Sequence, residues 1–341
     1  MKKHSLLKTS VILAVIGCAM SLSVLAEEVS NDVFTVTVPD EISDICDVET
    51  GTDTIAFYES LSHGEYGGFV AEIQLYKSVK DYGYLPNYRR GGQIILTDGT
   101  KLDVVLEFPS DVQFDVENQE SIDNYHLISD TFTSRIAPSI VPVDGVFTPQ
   151  DEIDTTAVYA EVLDTLRAEI EQEADFETLE GDGYSGLYAY LYGEEAPLSK
   201  IGCLYEDLNA DGYCELAIGM VGDNAVYDLF TQQDGEVLHV FSGGERDIFT
   251  LSGDDYGNLT IRETASGGAA LTHITMYGLD QIEAQLYQYV TFIYDGQENP
   301  DAPYRILYFE GDEGESVSEE EWNDRMNDYG TDIQPDYTPL G

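Results

Sequence analysis

Apolar and polar residues alternate over Phe34-Thr-Val-Thr-Val38 and the run stops at Pro39, which predicts a half-buried strand. Further strands are predicted over Thr54-Ile-Ala-Phe-Tyr58 and over residues 68–76, 93–96 and 102–108. Asp98-Gly99, between the last two, predicts a tight hairpin. From Gln119 to Ala137 the period lengthens: Ile122, Tyr125, Ile128 (or Ser129), Phe132 and Ile136 fall on one helical face, and Pro138 ends the helix. Residues 140–149, broken by Pro142, Gly145 and Pro149, read as a linker or extended tail. Strands followed by one amphipathic helix predict an α+β unit over 31–149, the helix covering one face of an antiparallel sheet.

A second unit, 151–330, opens with a helix whose buried stripe is Val158, Tyr159, Val162, Leu163, Leu166 and Ile170, with Glu161, Asp164, Glu169 and Glu171 facing outward. Asp151 and Glu152 suit the positive end of its dipole. A shorter helix is predicted over 184–192. Strands follow over 201–205, 215–219, 225–230, 236–241, 247–251, 259–261, 272–279, 286–294 and 304–309. Asp234-Gly235, Gly243-Gly244, Gly267-Gly268 and Asp295-Gly296 separate them as turns. Ser318 and Glu321 form a capping box before a last helix over 319–329, and 331–341 reads as a tail. The strand spacing is irregular, which argues against a propeller or solenoid. The expected fold is α+β in two domains, each an antiparallel sheet packed with one or two helices.

Charge changes the picture of partners. The 341 residues carry 15 Lys+Arg against 66 Asp+Glu, a net charge of −51. Apolar residues make up 43%, and there are 24 Tyr, so the chain can still bury a core. So acidic a surface repels phosphate backbones and anionic lipid, which excludes nucleic acid and membrane surfaces as partners.

The first residues give an address. Lys2, Lys3 and Lys8, an apolar run over 11–20 and the small-residue exit Val24-Leu25-Ala26 describe a secretory signal over 1–26, with a mature chain starting at Glu27. Val15-Ile16-Gly17-Cys18 is also lipobox-like and would place a lipid anchor on Cys18, although apolar residues follow where lipoproteins turn polar. Either processing route puts the protein outside the cytoplasm, extracellular or at the cell surface. No later run approaches the length of a membrane span. Cys46, Cys203 and Cys214 remain after cleavage, an odd number. Cys203 and Cys214 flank one predicted hairpin and could pair if they face each other. A chain this large does not need stapling, so all three are expected as small core residues.

One loop carries metal chemistry. Asp207-Leu-Asn209-Ala-Asp211-Gly212-Tyr213-Cys-Glu215 sets oxygen side chains at alternate positions, then Gly, then a carboxylate. Ca²⁺ takes six to eight oxygens, and a tight turn converges alternate side chains on one point. The expected ligands are the side chains of Asp207, Asn209, Asp211 and Glu215 and the carbonyl of Tyr213, with Gly212 permitting the reversal. An EF-hand needs its closing acid at the twelfth position, which here is Ile218, so the loop is not one. Asp, Asn and Gly are also plain turn formers, and a reverse turn without an ion is the competing reading.

This spacing resembles the short Asp-x-Asp-x-Asp-Gly loops of extracellular β proteins such as integrin-type repeats. The wider stretch Cys203 to Gly219 resembles the aliphatic–Asp–x–Asp/Asn–x–Asp–Gly–x–x–Glu–Leu–aliphatic signature of secreted proteins and lipoproteins of gut clostridia, with Asn209 replacing a common Asp. Phe34-Thr-Val-Thr-Val-Pro39, with Ile55-Ala-Phe-Tyr58, Gly67-Gly-Phe-Val70 and 108–114, is similar to another domain of such bacteria. Its opening is also similar to that of PsbP-like α/β/α sandwiches. These resemblances imply location and fold more than activity.

Catalytic motifs are scarce. Gly183-Tyr-Ser185-Gly186-Leu187 lacks the last glycine of a nucleophile elbow. His4, His63, His126, His239 and His273 do not pair at zinc-ligand spacing, and His239 sits in a strand where a solvent-facing or hydrogen-bonded role is expected. Tyr58, Tyr66, Tyr76, Tyr82, Tyr84 and Tyr88 crowd one region of the first unit, as packing or as a sugar or protein platform. The expected protein is therefore a secreted or cell-surface binding or structural protein with a Ca²⁺-stabilised hairpin and a protein or glycan ligand. The alternative is an extracellular glycan or peptide hydrolase with an unidentified acidic site.

Overall fold

The structure, a computed structural model, describes residues 26–341 except 182–183, 188–196, 245, 255–258, 269, 310 and 312. Cys18 and residues 1–25 of the expected leader lie outside the described residues, as does most of the helix expected over 184–192, of which 185–187 form a single 3-10 turn. Mixed helices and antiparallel sheets make the fold α+β. Among the described residues no helix is long and apolar enough to cross a membrane.

The strands of the first unit are β1 (Ala26–Ser30), β2 (Phe34–Pro39), β3 (Cys46–Thr50), β4 (Thr54–Glu59) and β5 (Phe69–Tyr76). They continue as β6 (Tyr88–Ile95), β7 (Lys101–Glu107), β8 (Val141–Pro142) and β9 (Val146–Pro149). A six-stranded sheet runs β3-β4-β5-β7-β6-β9 and a three-stranded one runs β1-β2-β8. The stretch 140–149 is thus no linker: β8 pairs with β2 and β9 with β6, closing an edge of each sheet. After the short helix α1 (Asp40–Ser43), helix α2 (Gln119–Thr131) starts at Asn118, whose side chain accepts from the Glu120 amide. Its expected continuation to Ala137 changes pitch, through a π-helical turn over 132–136 and a 3-10 turn over 137–139. That change keeps Ile128, Phe132 and Ile136 all fully buried, in one core with Val36, Ile55, Phe57 and Ile73.

One carboxylate of this unit is fully buried. Glu59, fully buried at the end of β4, accepts from the amides of Leu61 (3.1 Å) and Ser62 (2.9 Å), from Ser121 Oγ (2.7 Å) and from Asn124 Nδ2 (3.3 Å). Burial works to raise its pKa, but the bonds from Ser121, Ser62, Leu61 and Asn124 outweigh it and hold the carboxyl below the usual range. The bonds tie the 60–62 turn to the first two turns of α2.

The second unit begins with 3-10 turns before helix α3 (Ala160–Glu171) and the short α4 (Phe176–Gly181). Asp154, rather than Asp151 or Glu152, serves the chain entering α3, accepting from the amides of Thr156 and Ala157. Glu169, expected outside, is buried on the face shared with Leu166 and Ile170. Strands follow as β10 (Ile201–Glu206), β11 (Glu215–Met220), β12 (Ala225–Val226), β13 (Asp228–Gln233) and β14 (Glu236–Ser242). Next come β15 (Asp247–Gly253), β16 (Leu259–Gly268), β17 (Leu271–Leu279), β18 (Leu286–Asp295), β19 (Tyr304–Leu307) and β20 (Glu315–Ser316). Helix α5 (Glu319–Asn327) has Ser318 as its N-cap, accepting from the Glu321 amide at 3.2 Å, and β21 (Thr331–Asp332) and β22 (Thr338–Pro339) end the chain.

One continuous meander does not form. A five-stranded sheet runs β14-β13-β11-β10-β22, and an eight-stranded one runs β12-β15-β16-β17-β18-β19-β20 with β21 beside β15. The strand expected over 225–230 splits at Tyr227, where the chain passes from one sheet to the other. Residues of β11 explain the layering: Leu216 and Ile218 pack with Leu163, Leu166 and Ile170 of α3, whereas Ala217 faces a core with Val226, Phe249, Leu251 and Leu279. Helix α5 covers the far side of the larger sheet through Trp322, against Met276, Val290, Phe292 and Ile306.

The expected tail is structural as well. β21 pairs with β15 and β22 with β10, and Tyr337 is buried with its hydroxyl donating to the Ala225 carbonyl at 2.9 Å. Gly219 makes this possible, because a Cβ there would meet the Tyr337 ring at 2.1 Å.

Replacing Glu59 by Gln is expected to destabilise the fold by about 1–3 kcal/mol at neutral pH, read by urea denaturation. Because the folded pKa is depressed, the wild-type advantage is present above the unfolded value of about 4.3 and is lost as pH falls through the lower folded value. An unchanged difference between the two proteins across that acid range would contradict the assignment.

Candidate functional site

β10 and β11 are antiparallel, and Glu206 opposite Glu215 is their last pair, so the loop with the expected ligands closes this hairpin. Ala210 (φ 58°) and Gly212 (φ 86°) take left-handed backbone and fold the loop back on itself. A Cβ on Gly212 would also crowd Arg90 Cβ and Gln150 Nε2, each 3.2 Å away.

The side chains turn inward. Asp207 accepts from the amides of Asp211 (Oδ1, 3.2 Å) and Gly212 (Oδ2, 3.0 Å). Asn209 Oδ1 accepts from the Asp211 amide at 3.0 Å, and its Nδ2 donates to Asp211 Oδ2 at 3.2 Å. Asp211 Oδ1 accepts from the Tyr213 amide at 2.7 Å. Glu215 accepts from the Leu208 amide (Oε2, 2.7 Å) and from Thr231 Oγ1 (Oε1, 2.8 Å). Asp211 and Glu215 are 2% and 1% exposed, so this acidic loop is not a solvated surface turn. Among the described residues, no three His, Cys, Asp or Glu side chains converge as a ready-made metal cluster; the loop carboxylates are bonded to the loop's own amides.

Electrostatics sets these acids apart from Glu59. Burial, and then the charge of Asp207, pushes Asp211 up to about 7 against the Tyr213 amide, Asn209 and Arg90. Burial, and then the charge of Asp211, pushes Glu215 up to about 9, and burial raises Asp207 too. Their hydrogen bonds do not repay desolvation and mutual repulsion.

Residues far along the chain, invisible to motif reasoning, hold the loop from outside. Arg90 of β6 stacks over the Tyr213 ring at 3.9 Å and donates to Asp103 Oδ1 at 2.5 Å, and the Tyr82 hydroxyl donates to Asp103 Oδ2 at 3.0 Å. Gln150 Nε2 donates to the Gly212 carbonyl. Gln281 Nε2 donates to the Asn209 carbonyl at 2.5 Å, while its Oε1 accepts from the Tyr88 hydroxyl. The Tyr159 hydroxyl donates to the Cys214 carbonyl at 2.8 Å. Arg90 precedes the strand expected over 93–96, and nothing local distinguishes it from Arg89.

The other candidates resolve differently. Cys46, Cys203 and Cys214 are free; Cys203 lies opposite Ile218, not Cys214. Tyr76, Tyr82 and Tyr88 pack ring against ring, Tyr58 stacks on His63, and Tyr66 and Tyr84 stay exposed. His239 Nε2 lies 3.3 Å from Ser242 Oγ, which donates to the fully buried Asp228 at 2.5 Å. A carboxylate that bonds the hydroxyl itself, rather than orienting the far nitrogen of the histidine, is not a nucleophile relay. Ser185 lies in a 3-10 turn, and Gly183 of the same stretch is outside the described residues.

Compared with known proteins, the chain matches no family model, no curated protein and no solved structure.

In Ca²⁺-free buffer the raised carboxyls have a sign opposite to that of Glu59. Their stabilising, protonated form is fully present below the unfolded values of about 4 and is lost as pH rises through about 7 for Asp211 and about 9 for Glu215. Wild type minus Glu215→Gln, followed by urea denaturation from pH 5 to 9, is therefore expected to fall steadily. A flat difference would show that Glu215 titrates normally.

Proposed function

We propose that this chain is an exported binding or structural protein in which the loop 207–215 takes one Ca²⁺ that stiffens the β10–β11 hairpin. The observation that carries this reading is the burial of Asp211 and Glu215 beside a half-buried Asp207 within nine residues. Desolvation raises all three pKa values, and neighbouring acids add to it. A divalent cation supplies the countercharge that amides supply only in part. Asp207, Asn209, Asp211 and Glu215 would give side-chain oxygens and Tyr213 its carbonyl. Arg90 offers a neighbouring positive charge, but it is engaged with Asp103 and the Tyr213 ring.

The reading includes two domains, 31–149 and 151–330. Its support is that the cores do not mix: two join residues between Phe34 and Ile140, and three others join residues between Tyr159 and Leu340. It also includes cleavage after Ala26, which would leave Glu27–Ser30 paired with β2. The basic start, the apolar run and the small-residue exit support that processing, and the resemblance to clostridial secreted proteins points the same way.

Adding Ca²⁺ to the chelator-treated protein is expected to raise its Tm, the gain reaching about 2.7 kcal/mol at a hundredfold excess over Kd. Asp211→Ala should abolish the increment. No shift in the wild type, or an equal shift in the variant, would remove the ion from this loop.

A further inference from the structure

A cleft of about 630 Å³ opens beside the loop, where the turn after β17 meets the first unit. Its walls come from both units: Gly83 on one side, and Glu206, Asp207, Asp280, Tyr287 and Tyr289 on the other. The units touch closely here, since a Cβ on Gly83 would reach Ile282 Cγ1 at 3.0 Å. Ligand sites favour such seams between domains.

Two features of the lining are chemically specific. The first is aromatic. Tyr287 and Tyr289 are 43% and 39% exposed, with ring centroids 4.9 Å apart at 72° and hydroxyls 2.7 Å apart. Gly278, paired with Tyr287 across the strands, leaves room for that ring to lie over its backbone; a Cβ would meet the ring at 2.5 Å. The second feature is charge. Glu206, Asp207 and Asp280 are acidic, and no Lys, Arg or His is among the described lining residues. Asp280 is fixed by the amides of Ile282 (2.8 Å) and Glu283 (2.7 Å), both on the same oxygen. Asp207 spends both oxygens on the loop, so it contributes charge alone.

Exposed aromatic surface beside carboxylates, in a cleft without a positive side chain, suits one ligand chemistry. Rings attract a cation through their quadrupole, and carboxylates accept from its N–H groups. An anion is repelled. We propose that this cleft binds a small organic cation bearing an ammonium or guanidinium group, with Tyr287 and Tyr289 against its body and Glu206 and Asp280 accepting from its nitrogen. The inference rests on the reading of the chain as a binding protein and not on Ca²⁺ occupying the loop.

The test is isothermal titration of the intact protein with cadaverine (ammonium), agmatine (guanidinium plus ammonium), choline (no N–H) and maltose (neutral), each with Ca²⁺ and with chelator. One-to-one binding of cadaverine or agmatine is expected, weakening with salt, with choline and maltose weaker by about tenfold or more. Tyr287→Ala and Asp280→Asn should each weaken binding by about fivefold or more, Tyr287→Phe should retain it, and Asp211→Ala should leave it intact. Asparagine can still accept from the Ile282 and Glu283 amides, so Asp280→Asn keeps the turn. Absence of amine binding, binding indifferent to both cleft variants, preference for maltose, or displacement by Ca²⁺ at equal charge would overturn the proposal. A lost Ca²⁺-dependent Tm shift with amine binding retained would sink only the loop's ion.

Discussion

Buried negative charge is what this structure has to manage. With 66 acids against 15 basic side chains, few carboxylates can be neutralised by an ion pair, and every one taken out of water needs another answer. Three answers are visible. Glu59 receives four neutral donors and stays easily ionised. Asp103 takes one of the scarce arginines, Arg90, together with the hydroxyl of Tyr82. The 207–215 loop assembles three acids whose donors do not suffice, so they resist ionisation. The contrast between Glu59 and Glu215 lies in their neighbours: Glu59 shares its pocket with hydroxyls and an amide, Glu215 with another carboxylate.

The loop is also a joint. Its inner wall is its own amides, but its outer wall is built by Arg90, Gln150 and Gln281, from distant stretches of the chain. Tyr88 reaches Gln281 from the first unit, so the hairpin tip, the turn after β17 and the first sheet meet at one place. The cleft lies along the same seam. Glu206 and Asp207 thus belong both to the hairpin and to the wall of the cleft.

Much of the fold was legible where local rules decide it. Alternation placed β2, β4 and β5, Asp98-Gly99 turned between β6 and β7, and Ser318 capped α5, because each of these depends on a few adjacent residues. What stayed hidden depends on partners far away. β8 and β9 are too short to show a period and exist because β2 and β6 offer edges. The split at Tyr227 is invisible in 225–230, since apolar residues lie on both sides of it and only their destinations differ. Glu169 is buried because it follows Leu166 by three residues on the apolar face, although its charge suggests exposure. At the loop, spacing located Asp207, Asn209, Asp211, Tyr213 and Glu215 on one hairpin tip, while the bonds from Thr231 and Gln281 had no local signature.

Pairing of β22 with β10 has a consequence for how the chain is made. β10 is the first strand of its sheet to be synthesised, yet one of its edges is completed only by Thr338 and Pro339. A chain emerging from its N-terminus must carry that open edge, with the hollow over Gly219 unfilled until Tyr337 arrives. Non-local closure of this kind is slow and leaves an unpaired strand available to other chains. Biogenesis is thus the stage at which this protein is most exposed to a chaperone's help or to a neighbour's interference.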